Sequence, residues 1–374
     1  MGTSKVYFTN LRAKNGDNLL NKLQRLIKTA GIGDIDFEDK YVAIKMHFGE
    51  PGNLAFLRPN YAKAVADVVK ELGGKPFLTD CNTLYVGGRK NALDHLDSAN
   101  LNGFNTITTG CQILIADGLK GTDEALVPVK GGTYVKEAKI GRAIMDADVV
   151  ISLNHFKGHE ATGFGGALKN LGMGCGSRAG KMEMHSAGKP HVDQDLCIGC
   201  QMCAKICAHD APSFKDKKAT IDHNKCVGCG RCIGVCPKDA ILAASDESND
   251  ILNCKIAEYT KAVIDDRPNF HISLVIDVSP YCDCHGENDA AIVPNVGMFA
   301  SFDPVALDVA CADAVNAQPV ISNSKLGDCS EEERACQHHD HFHSIFPDTN
   351  WESAIEHGVK IGIGNKEYEL ITVK

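Results

Sequence analysis

Two hydrophobic rhythms alternate along this chain. "KVYFTN" near the N-terminus reads as a strand, and residues 17–30 then place Leu19, Leu20, Leu23, Leu26, Ile27 and Ala30 at helical spacing, with Gly31 set to end the helix. "YVAIKMHF" is a near-continuous apolar run, the pattern of a strand covered on both faces of its sheet. Pro59 opens a helix carrying Ala62, Val65, Ala66, Val69 and Leu72, closed by Gly73 and Gly74, and "KPFLTD" is the next strand. Later, "GRAIMDA" leads into the strand "DVVISLNHF", "HISLVIDV" and "AIVPNVGMFAS" are further strands, and Asp303 and Pro304 start the helix "VALDVACADAV". Strand–helix alternation on this scale predicts an α/β domain with a largely parallel sheet.

Between residues 188 and 245 the rhythm stops and cysteine takes over. "CIGCQMCAKICA" supplies Cys197, Cys200, Cys203 and Cys207, and "CVGCGRCIGVCP" supplies Cys226, Cys229, Cys232 and Cys236. Both have the C-x₂-C-x₂-C-x₃-C spacing of a bacterial ferredoxin with two 4Fe–4S clusters. The repeat extends upstream, "HVDQDLC" standing against "TIDHNKC", as in a duplicated unit. In such a fold three thiolates of a run wrap one cluster and the fourth reaches the other. The expected sets are therefore Cys197, Cys200, Cys203 and Cys236 for one cluster, and Cys226, Cys229, Cys232 and Cys207 for the second. Pro237 follows the second run, whereas Ala208 takes the corresponding place after the first. Zinc is the weaker account, since a zinc site needs four ligands and rarely uses two tandem runs of four cysteines. The expected organisation is a discontinuous α/β host domain, 1–187 and 246–374, with a small α+β ferredoxin-like domain inserted at 188–245.

Length and composition narrow the class. The 374 residues exceed what one core usually organises. A net charge of −9 without a basic block argues against nucleic-acid or membrane-surface partners and favours small molecules or proteins. The N-terminus has no apolar targeting core and no later stretch reaches the length of a membrane span, so a cytoplasmic protein is expected. Seventeen cysteines in such a chain suggest metal binding before disulfides.

The polar residues gather at strand ends. His47, then Asp80 and Cys81, then His155, Lys157 and His159, then Asp277, Cys282, Asp283 and Cys284, and finally Asp303 each follow an apolar run. Open α/β sheets bind ligands at the carboxyl ends of their strands, so five such ends are expected to meet at one edge. His155, His159, Lys169, His47 and Asp80 are the candidate catalytic residues. Lys157, Gly165, Gly166, Arg178 and Lys181 are the candidates for holding a cofactor or small-molecule ligand. The stretch His155–Lys181 contains eight glycines, which favour a loop that approaches a ligand closely or a tight hinge, and it lacks the spacing of either common nucleotide fingerprint. Its lysines and arginine are compatible with an anion-binding nest. Asp303 has a plain alternative as a helix N-cap, and Cys81 as a small buried hydrophobe. Cys282 and Cys284, next to His285, are candidate contacts to a further metal or cluster. If residues 330–344 form one helix, Cys336, His339 and His343 share a face suited to a metal, although a solvated charge-rich surface is the simpler reading.

With these residues in place, the chain resembles a large uncharacterised family, domain of unknown function 362, in its form with an inserted ferredoxin domain. "KMHFGEPGN", "HFKGHEATGFGGALKNLGMGCGSRAGKMEMHS", "DVSPYCDCHG", "FASFDPVALD" and "HGVKIGIGNKEYEL" carry the likeness over nearly the whole chain. It implies a ferredoxin-containing protein of mainly anaerobic prokaryotes and implies no reaction. The function expected from the residues is an iron–sulfur oxidoreductase relaying electrons between the cluster module and a substrate, flavin or metal at the host-domain edge, with a protein as electron donor or acceptor. An electron carrier or redox adaptor docking a protein partner, and a metal- or cluster-handling factor, remain as alternatives.

Overall fold

A computed structural model of the protein describes residues 2–85, 87–185, 189–226, 228, 230–242 and 248–374. Its centre is an eight-stranded sheet of β1 (Ser4–Asn10), β2 (Tyr41–Lys45), β3 (Lys75–Asp80), β4 (Gln112–Ile115), β5 (Val149–His155), β6 (Asn269–Val275), β7 (Gly297–Ser301) and β8 (Tyr368–Thr372). The spatial order is β8-β1-β7-β6-β5-β2-β3-β4. All pairings are parallel except those of β7, which runs antiparallel to both β1 and β6. The fold is thus α/β with a largely parallel sheet.

Strand alternation distributes the core to both faces. On one face Leu23, Leu26 and Ile27 of α1 (Leu19–Thr29) and Val65 and Val69 of α2 (Pro59–Glu71) pack with Ile44, Leu78, Ile151 and Ile272. On the other face lie α3 (Ala167–Cys175), α4 (Arg178–His185), α5 (Asn249–Ile264) and α6 (Pro304–Asn316). There Val150 joins Leu171, Ile256 and Val263, while Val275 and Phe299 join Val305 and Leu307. Burial on both faces explains why β2 and β5 read as unbroken apolar runs.

Residues 191–242 form separate short pairs, His191–Val192 with Ile241–Leu242 and Pro212–Lys215 with Lys218–Ile221. The expected domain boundaries at 187–188 and 245–246 fall among residues outside those described.

Three expectations change. Because β7 is reversed, Asp303 sits at the opposite edge from the other strand ends. There it caps α6, its Oδ1 accepting from Val305 and Ala306 N, while Oδ2 takes Ser4 Oγ at 2.6 Å and Asn365 N at 2.7 Å. His155 ends a strand and His159 lies in a short hairpin, Lys157–His159 with Gly163–Gly165, in place of the expected loop. The C-terminal run is two helices, Glu331–Cys336 and His341–Ile345, broken where His338 and His339 take positive φ, so Cys336, His339 and His343 share no continuous face.

The N-terminus of α3 has an unusual cap. Gly166 has no side chain to offer, and Asp308, from the middle of α6, receives Ala167 N at 2.6 Å and Leu168 N at 2.9 Å. A Cβ at Gly166 would collide with this carboxylate. Asp308→Ala leaves two buried N–H groups without acceptors and is expected to cost about 1–3 kcal/mol, read as a lower denaturation midpoint. Asp308→Asn, which keeps one acceptor oxygen, should recover part of the loss. Equal midpoints for wild type and Asp308→Ala would contradict this role.

Candidate functional site

The chain moves outward from β2 through β3 to β4, then returns to place β5 on the other side of β2. The crevice above such a reversal is where open α/β sheets bind ligands. A cleft of about 70 Å³ opens there. Lys45, His47, Asp80, Cys81 and His155 reach it from strand ends, Cys282 and Cys284 from the turn after β6, and Lys157, Gly165, Gly166, Lys169 and Lys181 from the glycine-rich stretch. Four of the five expected strand ends therefore converge.

At its base is a buried charge network. Lys45 Nζ lies 2.9 Å from Asp80 Oδ1 and donates to Asn170 Oδ1 at 2.7 Å, while Asn170 Nδ2 donates back to Lys45 O at 3.0 Å. Arg89 stands 3.8 Å from Asp80 and binds Glu50 at 2.7 Å. Burial, the largest single influence, would raise the Asp80 carboxyl, but the neighbouring positive groups, Lys45 foremost, together outweigh it and hold the group far below the usual carboxylate range. His95, 3.7 Å from Asp80, is driven well below its ordinary value by burial, so the charge balance rests on Lys45 and Arg89. Asp80 is thus committed to holding the floor of the cleft together.

His155 is committed as well. Its Nδ1 faces both oxygens of Asp283, at 3.0 and 2.9 Å, and its Nε2 faces Ile276 O at 2.8 Å. Neither nitrogen is left for a substrate or metal. Lys157 Nζ adds a contact to Asp283 at 3.5 Å, and Glu50 N donates to Asp283 O at 3.0 Å. The effect is to fix the turn that carries Cys282 and Cys284.

In that turn the two sulfurs are 3.0 Å apart. Lys169 Nζ lies 3.7 Å from Cys282 Sγ, and His47 Nε2 lies 3.4 Å from Cys284 Sγ. The hydrogen bond shared with Cys284, aided by Lys169 and Lys157 against the cost of burial, pulls the Cys282 thiol down to about 6. The same hydrogen bond and burial push Cys284 up. Burial would lower Lys169, yet the two sulfurs hold its ammonium above the ordinary lysine value. His47 is lowered by burial and by Arg89, and its Nδ1 accepts from Gly49 N at 2.9 Å, leaving the proton on Nε2 toward Cys284.

The remaining candidates disperse. His159 Nδ1 accepts from Ala161 and Thr162 N, closing its own hairpin, and burial takes the ring down to about 3. Lys181 donates to Gly176 O at 2.6 Å from the cleft wall. Cys81 donates to Cys175 O at 3.3 Å, and burial raises its thiol well above the usual value. Arg178 is outside the cleft: fully buried, it donates to Lys90 O and abuts Gly234, where a Cβ would fall on its guanidinium. The glycines mostly allow the protein to pack on itself. Added Cβ atoms at Gly158, Gly172 and Gly180 would meet Pro280 O, Ile256 O and Lys139 O. Sequence reasoning missed Lys45, Arg89 and Asn170; the available signal was a lysine inside a strand buried on both faces, which demands a partner.

The cysteine runs surround two further cavities. Cys197, Cys200, Cys203 and Cys236 line one, and Cys207, Cys226 and Cys232 line the other; Cys229 lies outside the described residues. Backbone N–H groups point at sulfur: Ala219 N to Cys197 at 3.3 Å, Ala240 N to Cys236 at 3.3 Å and Gly228 N to Cys226 at 3.4 Å. Helix α4 stands between these cavities and the cleft. Its Lys181 lines the cleft, while Met182 belongs to the hydrophobic cluster of the cysteine-rich segment and abuts Gly230 beside the second cavity. Lys90 ties the same joint, donating to Cys236 O at 3.0 Å and pairing with Asp239.

Over 168 residues the chain is 28% identical to a thylakoid-associated protein of Synechocystis sp., the alignment covering 42% of this chain and 46% of that protein. The chain thus spans about half the length of the curated relative it matches. Among solved structures it is similar to the lactate racemase apoprotein from Thermoanaerobacterium thermosaccharolyticum, with 11% identity, a TM-score of 0.34, and coverage of 72% of this chain and 51% of that one. It is also similar to a protein from Thermotoga maritima, with 13% identity, a TM-score of 0.36, and coverage of 69% and 50%. A family model described as "Domain of unknown function (DUF362)" matches residues 42–313, from β2 into α6. That match covers well over half of the chain, and the protein belongs to this family.

Proposed function

We propose that the protein is an iron–sulfur redox protein, in which residues 189–242 hold two 4Fe–4S clusters and exchange electrons with a small anionic compound in the host-domain cleft. The observation that carries the reading is the sorting of the cysteine runs. Three cysteines of the first run share a cavity with the last cysteine of the second, and the two described cysteines Cys226 and Cys232 of the second run share one with Cys207, the last of the first. The donor chemistry fits the group: thiolates are its ligands, and the backbone N–H groups directed at three of the sulfurs stabilise negative charge there. Arg178 fits as well, because among the described residues its Nε and Nη1 have no hydrogen-bond partner and it lies beside the second cavity, where an anionic cluster would add to the counter-charge of Asp117. When bound, such clusters pass single electrons.

The chain's own residues supply the rest. Lys157, Lys169 and Lys181 give the cleft its positive wall, which favours an anion. The volume of about 70 Å³ compares with the 300–1,000 Å³ of pockets that take drug-sized ligands, so a small anion suits the cleft better than a flavin. Asp80, Lys45, Asp283 and His155 hold the walls in place, and α4 has Lys181 at the cleft and Met182 in the hydrophobic cluster of the cysteine-rich segment.

Protein prepared without oxygen should contain about eight iron and eight sulfide per chain. Zinc in place of iron would sink the reading. Cys207→Ala should bring iron to about half while the first cluster keeps its paramagnetic resonance signal; loss of the first cluster's signal instead would show that the ligand sets are wrong. In the cleft, Lys169→Gln should weaken retention of a small anion by about 10- to 100-fold, the worth of one charged hydrogen bond. Mass spectrometry of small molecules released from wild type and variant checks this, and identical anion content in the two would remove Lys169 from the binding wall.

A further inference from the structure

The electron relay leaves two thiols at the cleft without a task. Cys282 and Cys284 are two residues apart in a turn closed by His285 N to Cys282 O at 3.1 Å. The residue between them, Asp283, is fastened through its carboxylate to His155 and Lys157 and through its carbonyl to Glu50 N. That anchorage fixes the backbone of the turn, which presents the two sulfurs to each other at 3.0 Å. A disulfide needs about 2.0 Å, an approach of roughly 1 Å that side-chain torsions can supply. Two thiolates on one zinc ion would stand about 3.8 Å apart, given bonds of about 2.3 Å and tetrahedral angles. The spacing is therefore that of a sulfur pair poised to bond. Lys169 at 3.7 Å from Cys282 offsets negative charge on that sulfur, and His47 presents its Nε2 proton to Cys284 at 3.4 Å.

We propose that Cys282 and Cys284 form a reversible dithiol–disulfide couple, the two-electron site at the cleft end of the relay. Starting from the dithiol, oxidation forms the Sγ–Sγ bond and releases two protons. Its two electrons pass to two oxidised 4Fe–4S clusters, one each, or to a small disulfide oxidant. Where Cys282 is already the thiolate, only the Cys284 proton is released. Reduction breaks that bond as two electrons and two protons return, and His47 lies on the side from which Cys284 is protonated. The inference rests on the iron–sulfur reading only for the source of electrons, which would be two reduced 4Fe–4S clusters giving one each; a small dithiol reductant supplies the same pair chemically. Two one-electron centres feeding a two-electron reaction need a place where electrons combine, and the sulfur pair provides it. Cys284, the less buried of the two, is the sulfur a molecule entering the cleft would meet.

The test uses the full chain, equilibrated without oxygen in dithiothreitol buffers from fully reduced to fully oxidised, quenched in acid, alkylated and digested. The peptide carrying both cysteines should become lighter by two hydrogens, and lose two alkyl groups, in one step as the buffer becomes oxidising. Cys282→Ser and Cys284→Ser, close in size to the native side chains, should each abolish the step while leaving iron content unchanged. Lys169→Met should move the step toward more reducing buffer, because the ammonium beside Cys282 favours the reduced pair. The proposal is overturned if both cysteines are alkylated at every poise, or if they hold one equivalent of metal that blocks alkylation until a chelator removes it. Zinc in the cysteine-rich segment together with an intact thiol–disulfide step would overturn the cluster reading and spare this one, so the two can fail separately.

Discussion

The strand C-terminal edge depends on the burial of one ammonium group. Lys45 sits in a central strand with 1% of its surface exposed, where an uncompensated charge would cost several kcal/mol. Asp80, on the neighbouring parallel strand, supplies the counter-charge, and Asn170 of α3 accepts a second Lys45 proton while donating to the Lys45 carbonyl. These contacts join β2, β3 and α3 at the point where strand order reverses. Because the pair must be satisfied in a dry interior, the three elements have little freedom to adopt another register, and the cleft above them inherits that rigidity. Asp308 extends the constraint by capping α3 from α6, so the N-terminal half of the cleft-lining helix is held by side chains from elsewhere in the fold.

Above this floor the same logic is repeated with different groups. Asp283 is buried beside His155 and Lys157, and these contacts fix a turn after β6 in the way that Lys45 fixes a strand. Charge is used here to hold sulfur in place. Most of the histidines, lysines and carboxylates that converge on the cleft are spent on one another, which leaves Lys169, His47 and the two sulfurs as the groups facing its interior. The chemistry of the cleft is correspondingly narrow, consisting of a cationic wall, a proton donor and a pair of thiols.

Much of this could be read in the sequence, for reasons that differ by element. The α/β architecture followed from hydrophobic period, and helix starts such as Pro59 and Asp303 were marked by residues whose local chemistry fits that position alone. The cysteine runs stood out because their spacing repeats, and the described cysteines of both runs line two cavities. The direction of β7 was not legible, since an apolar strand reads the same in either sense, and Asp303 was therefore expected at the wrong edge. His155 and Asp80 were found as members of the edge, but their tasks depend on partners more than thirty residues away, Asp283 and Lys45, which no local pattern announces. Arg178 was misplaced for the same reason. A basic residue in a glycine-rich stretch was expected at the host-domain cleft, whereas its guanidinium lies against Gly234 of the cysteine-rich segment.

The glycine-rich stretch itself shows how one composition can serve a different physical purpose from the expected one. Eight glycines in 27 residues suggested backbone left open for a ligand. Gly165, Gly166 and Gly174 do line the cleft. Positions such as Gly166, Gly172 and Gly180 are also places where another part of the chain occupies the volume a Cβ would need: a carboxylate, a carbonyl of α5 and a carbonyl beside Tyr259. Close approach brings α3 and α4 tightly onto their neighbours, and α4 has Lys181 at the cleft and Met182 in the hydrophobic cluster of the cysteine-rich segment. The small residues thus serve packing as well as the cleft wall, because the same absent Cβ admits a neighbouring backbone on one side and leaves the cleft open on the other.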